Sequence, residues 1–241
     1  MITKKLFPTV LIVWLVSCQP SGKDSTTEAR HSDVKIAGAM KNVMWKGELA
    51  GVINLDTIEN TTGLYGLGPL SFLSGEILIN DGKSYVSRVV SDSEMSVEKT
   101  FQASAPFFVY ANVDEWAETD LPEHIITLKE LEAFVDEKTK DHPRPFAFKM
   151  KGTVSNASIH IQNLPPGTKV SSPQEAHQGQ TNYKLENEPV EIVGFFSTDH
   201  KGVFTHHDSF LHLHLITADE SKMGHLDEAQ FGKMTLFLPK K

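Results

Sequence analysis

The chain has 241 residues, 39% of them hydrophobic, which leaves room for one large domain or two small subdomains around a proper core. Its formal net charge of −8, with no basic cluster in the body of the chain, excludes a nucleic-acid or anionic-membrane surface as the main partner. A single cysteine excludes an intrachain disulfide and a thiolate metal cluster.

That cysteine, Cys18, closes a segment that reads as a signal peptide over residues 1–17. Lys4 and Lys5 form a positive start, and residues 6–16 form an apolar stretch. Leu15-Val16-Ser17-Cys18 matches a bacterial lipobox. The apolar stretch is short of the roughly 20 residues that a spanning helix needs; an uncleaved signal anchor is the alternative. Cleavage after Ser17 and acylation of Cys18 are expected. Gln19, where an aspartate would retain the lipoprotein in the inner membrane, directs it to the outer membrane, facing the periplasm. Contact with the membrane is through the lipid anchor alone. Residues 18–38 are small and polar without an apolar repeat, and read as a flexible tether.

Residues 44–54 suit a helix or a short apolar segment. Residues 61–68 are punctuated by glycine and read as a loop. Residues 73–79 and 84–90 flank Asn80-Asp81-Gly82-Lys83, a strong hairpin signal. Residues 107–113 suit a buried strand. Thr127-Leu128-Lys129-Glu130 fits a capping box and predicts a helix over 128–138, with Leu128, Leu131, Phe134 and Val135 at helical spacing. Residues 146–154 alternate as a strand, with 158–162 as its partner. Residues 164–180 hold three prolines and two glycines and read as a loop. Strands follow at 189–197 and 209–217, a return begins at 224–226, and residues 234–238 close the chain. Many strands with one firm helix predict an α+β fold, with mixed or antiparallel β-sheets in two packed subdomains and few helices.

Histidines are abundant, at 11, and gather toward the C-terminus. In Phe210-Leu211-His212-Leu213-His214-Leu215 a strand places His212 and His214 on one face and the leucines on the other. A hairpin turning at Asp219 and Glu220 sets His225 opposite His214, close enough for shared ligation. Three imidazoles with an open position are the donor set of a catalytic zinc site. Spacing alone leaves this level with a polar strand surface. His206 and His207 are adjacent, so at most one joins the site; a solvated loop pair is the default reading.

Taken in order, several segments resemble acetolactate decarboxylases over residues 45–236. Gly66-Leu67-Gly68 followed by Leu73-Ser74-Gly75-Glu76 resembles the family's GLGT…LDGE. Pro106-Phe107, Val193-Gly194-Phe195, His212-Leu213-His214 and Met223-Gly224-His225 resemble its later motifs. The resemblance makes residues 39–241 an acetolactate decarboxylase-like domain. It implies zinc-dependent decarboxylation of 2-acetolactate to acetoin and carbon dioxide. His212, His214 and His225 match the family's metal ligands and Glu76 its catalytic glutamate. His160 stands near the family's catalytic arginine and takes its place. The family's C-terminal glutamate has no counterpart before Lys241. Pro69 and Ser74 depart from the family's threonine and aspartate. A homodimer is compatible with the resemblance. Two other readings remain: a related lyase or isomerase on another hydroxy-keto acid, and a periplasmic metal-binding lipoprotein without catalysis.

Overall fold

The computed structural model describes residues 1–2 and 34–240. Cys18, the signal segment and most of the expected tether therefore lie outside the described residues. In chain order the elements are β1 (Lys35–Gly38), α1 (Met40–Lys46), β2 (Ile53–Asn54), β3 (Leu64–Pro69), β4 (Glu76–Asn80) and β5 (Lys83–Val89). Next come β6 (Met95–Lys99), β7 (Ser104–Ala105), β8 (Phe107–Asn112), β9 (Trp116–Asp120) and α2 (Leu128–Lys138). The chain continues with β10 (Phe146–Ile161), α3 (Pro173–Ala176), β11 (Thr181–Phe196), β12 (Leu211–Thr217) and β13 (Met223–Pro239).

Two sheets dominate this α+β fold. The first has the order β1-β8-β3-β4-β5-β6. The second runs β10-β11-β12-β13-β9, and β13 also pairs with β10, so four of its strands close on themselves. Among the described residues every paired strand of these sheets is antiparallel. One core cluster joins the layers: Leu67, Leu78 and Val109 of the first sheet meet Val193, Phe195 and Ile216 of the second. A second core fills the closed sheet beneath α2, and a third lies on the outer face of the first sheet.

The expected hairpin is present, with Asp81 at φ 50° and Gly82 at φ 74°, the left-handed pair that a two-residue turn between twisted strands needs. The expected helix over 128–138 is α2. The Thr127 side chain accepts from the Glu130 N–H, and the Glu130 side chain accepts from the Thr127 N–H.

Other expectations are corrected. Residues 35–38, inside the span read as tether, form β1, which pairs with β8. The helix expected within 44–54 lies earlier, at α1, where Met40, Val43 and Met44 share a buried face and Gly47 ends it at φ 64°. Residues 64–69 are a fully buried strand rather than a loop. Its glycines serve close packing: a Cβ on Gly68 would sit 2.5 Å from the Phe107 carbonyl oxygen. Residues 146–154 and 158–162 are not two partners. They belong to one long strand, β10, whose partners are β11 and β13, with register shifts absorbing the polar stretch between them. Likewise β13 is continuous from Met223 to Pro239.

Candidate active site

Alternation along three strands builds the site between the sheets. In β12, Leu211, Leu213 and Leu215 pack into the core of the closed sheet, so His212 and His214 face the first sheet. In β4, Ile77 and Ile79 face the outer core while Leu78 joins the interlayer cluster, which turns Glu76 inward as well. The β12–β13 hairpin pairs His214 with His225, as its spacing predicts. His225 is paired in turn with His160 on β10. Gly224 permits this approach, since a Cβ there would lie 2.6 Å from the His160 carbonyl oxygen.

The three histidines form a tight group. Ring centroids are 5.2 Å apart for His212 and His214, 5.1 Å for His212 and His225, and 5.4 Å for His214 and His225. One nitrogen from each lies within 4.8 Å of the others. All three are buried. Burial pushes the His214 imidazole down to about 3; the His160 charge adds to this and a backbone contact at Ile77 opposes it. Burial also holds His212 and His225 well below the ordinary histidine range, with neighbouring imidazoles adding. All three therefore present neutral rings at neutral pH.

These residues fit a metal ion. Nδ1 of His212 and both ring nitrogens of His214 are buried without a hydrogen bond of good geometry. Such atoms are costly unless something occupies them. Three convergent neutral imidazoles are the donor set for zinc or a similar divalent ion.

Glu76 completes the centre. Its Oε2 lies 3.6 Å from His214 Nε2, and its Oε1 accepts a 3.2 Å hydrogen bond from the Gln162 N–H. The side chain is 3% exposed. Burial raises its carboxyl well above the usual range, against the lowering effect of the Gln162 N–H and with the Asp227 charge adding. The environment thus favours a protonated acid.

His160 also reaches the site. Its ring lies 4.6 Å from that of His225, and its Nδ1 is 2.8 and 2.9 Å from the two Asp227 oxygens. His206 joins too, 5.2 Å from the His225 ring, whereas His207 is exposed. A cavity of about 30 Å³ is bounded by Glu76, His160, Gln162, His206, His212 and His225. Among the described residues, no lysine or arginine lines it. His206 and His225 also border an outer cleft of about 430 Å³ beside Leu128 and Lys129.

Every described site residue of the sequence reading is therefore brought together. Asp227, Gln162 and His177 were missed. Asp227 lies at an irregularity of the β10–β13 ladder and Gln162 just past the end of β10, so strand alternation in the sequence signals neither.

The family model for alpha-acetolactate decarboxylase matches residues 38–240. An alpha-acetolactate decarboxylase of Methanosarcina mazei is 27% identical over 229 residues, which cover 89% of this chain and 75% of that one. One from Brevibacillus brevis is 24% identical over 197 residues, covering 81% of this chain and 66% of that relative, so slightly under two thirds of its length is spanned. Among solved structures, alpha-acetolactate decarboxylase from Bacillus subtilis strain 168 superposes with a TM-score of 0.71 at 20% identity, covering 86% of each chain. A Staphylococcus aureus protein similar to that enzyme superposes at 0.70 and 18% identity, covering 85% of this chain and 84% of that one. These structures share the fold. The match of the family model over nearly all the described residues decides the family: the chain belongs to the alpha-acetolactate decarboxylases.

Proposed function

We propose that this protein is a zinc-dependent carboxy-lyase that converts 2-acetolactate to acetoin and carbon dioxide. The observation that carries the reading is the pairing of three buried, neutral histidines with a buried carboxyl, Glu76, 3.6 Å from one of them. His212, His214 and His225 hold the ion. When bound, zinc polarises the substrate's oxygens and stabilises the charge that develops as carbon dioxide leaves. Glu76, kept as the acid by burial, delivers a proton to the carbon that loses the carboxylate. His160, at the position where the family resemblance places an arginine, faces the polar end of the substrate. The buried walls from Phe107 and Leu73 limit water around the reacting carbon.

The inner cavity, at about 30 Å³, holds little more than a water or two. A molecule the size of acetolactate therefore needs the boundary at His206 to yield toward the outer cleft.

The deciding experiment is acetoin release from racemic acetolactate by purified, zinc-loaded protein, with metal content measured in parallel. Acetoin release with about one zinc per chain is expected. Metal without release would favour the non-catalytic metal-binding reading, and release without metal would remove zinc from this one. For localisation, the proposal is acylation at Cys18 and an outer-membrane anchor, resting on the lipobox alone. Membrane fractionation and mass spectrometry of the N-terminal peptide test it; a Cys18→Ala variant should not acquire lipid.

A further inference from the structure

Asp227 is the acidic group nearest the centre that the proposed chemistry leaves without a role. It lies at an irregularity in the β10–β13 ladder. Ser158 pairs with Glu228 and Ile159 pairs with Leu226, so Asp227 is the extra residue on β13. Such bulges redirect a side chain and cluster beside active sites. Here the bulge aims the carboxylate at His160, the ladder partner of His225. Both Asp227 oxygens reach Nδ1, at 2.8 and 2.9 Å. A carboxylate accepts but does not donate, so the shared proton sits on His160 Nδ1 and the ring cannot spin. Nε2 is left on the cavity side, where the Gln162 amide lies at 3.4 Å. His160 has a side chain 7% exposed, while that of Asp227 is 32% exposed. The carboxylate thus anchors the ring from the cleft side, out of the cavity that Glu76, His212 and His225 border.

We propose that Asp227 is a positioning residue: it locks His160 so that Nε2 meets the polar end of the substrate beside His225. This rests on the decarboxylase reading above. On this proposal the residue acts through His160; His160, His225 and Asp227 also lie close enough together to hold a metal ion, which is the competing outcome of the test.

The test is a double-mutant cycle in the zinc-loaded full-length protein. It reads both KM for acetolactate and Kd for 2,3-dihydroxy-2-methylbutanoate, a reduced analogue that cannot lose carbon dioxide. Asp227→Ala and His160→Gln should each weaken both constants about tenfold, the scale of outer-shell partners. Asp227→Ala should add less than about twofold in a His160→Gln background, because the two residues act as one unit. Asp227→Asn, whose amide oxygen still accepts the Nδ1–H bond, should recover most of the loss. Asp227→Ser, too short to reach Nδ1, replaces Asp227→Ala in the cycle if that variant misfolds. Additive losses, or Asp227→Asn as weak as Asp227→Ala, overturn the inference. So does a second metal ion per chain that Asp227→Ala removes, since Asp227 would then be a ligand. A parent that binds the analogue but releases no acetoin defeats the decarboxylase reading and leaves the cycle on Kd to decide this one. A parent that does neither defeats both.

Discussion

Glu76 Oε2 and His214 Nε2 lie 3.6 Å apart, yet one belongs to the first sheet and the other to the second. The contact bridges the two layers and puts an acid beside the candidate metal ligands. Glu76→Gln keeps the shape and removes the transferable proton. It should lower acetoin release by about 100-fold or more while leaving zinc content unchanged, as measured by steady-state kinetics and elemental analysis. Unchanged activity would remove Glu76 as the proton donor.

The three buried histidines make the stability of metal-free protein depend on pH. Their folded-state values lie below the ordinary 6.5, about 3 for His214 and well below 6.5 for His212 and His225. As pH falls below about 6.5 the unfolded chain takes up protons that the folded chain refuses, so stability is lost from there down toward 3. Each such group contributes a slope of up to roughly 1.4 kcal/mol per pH unit. Glu76, raised in the folded state, acts in the opposite sense above its ordinary 4.5, one group against three. Melting curves of chelator-treated protein should therefore be nearly level above about pH 6.5 and fall progressively from there toward pH 3. At pH 7 a zinc concentration about 100 times its Kd should add roughly 2.7 kcal/mol. A melting temperature that is flat over this range would contradict the buried, neutral histidines.

Gly224 sits at a close approach of β13 to β10, beside His225. Gly224→Ala would bring a Cβ to 2.6 Å from the His160 carbonyl oxygen and push the strands apart. A loss of about 1–3 kcal/mol in denaturant unfolding is expected, together with weaker zinc binding by competitive titration. Gly167 offers the contrast: a Cβ there would meet nothing within 4 Å, but the backbone sits at φ +84°. Gly167→Ala should weaken folding without touching zinc affinity.

His206 separates the small inner cavity from the larger outer cleft. His206→Ala should join the two and raise kcat/KM for substrates bulkier than acetolactate, with zinc retained. Loss of zinc instead would make His206 a ligand rather than a wall.

The capping box is legible directly in Thr127 and Glu130, and α2 begins and ends where the pattern says, because capping and helical spacing are local. Thr127→Ala should cost about 1 kcal/mol by thermal or denaturant unfolding, since it leaves the Glu130 N–H without its cap.

Much of the site was legible for the same reason. His212 and His214 share a face because side chains alternate along a strand, and Asp219 and Glu220 mark the turn that brings His225 across. Glu76 emerged only through its resemblance to a family motif, since one carboxylate before an apolar strand has no distinguishing pattern. The long strands were harder. Residues 64–69 carry two glycines and a proline, the residues that usually break a strand, and here the glycines make room for Phe107 and Phe108. β10 and β13 each look divided at polar stretches that the structure keeps paired through register shifts.

By itself, then, the sequence determined the local elements: the capped helix, the Asp81-Gly82 turn and the shared strand face of His212 and His214 with His225 across the hairpin, all set by periods of a few residues. Tertiary structure alone decided which distant groups share the cavity. Closure of β13 onto β10 placed His160 against His225, and a bulge turned Asp227 toward His160. Packing of the two sheets carried Glu76 to His214. These contacts depend on register, which a single shifted residue changes and no local pattern encodes.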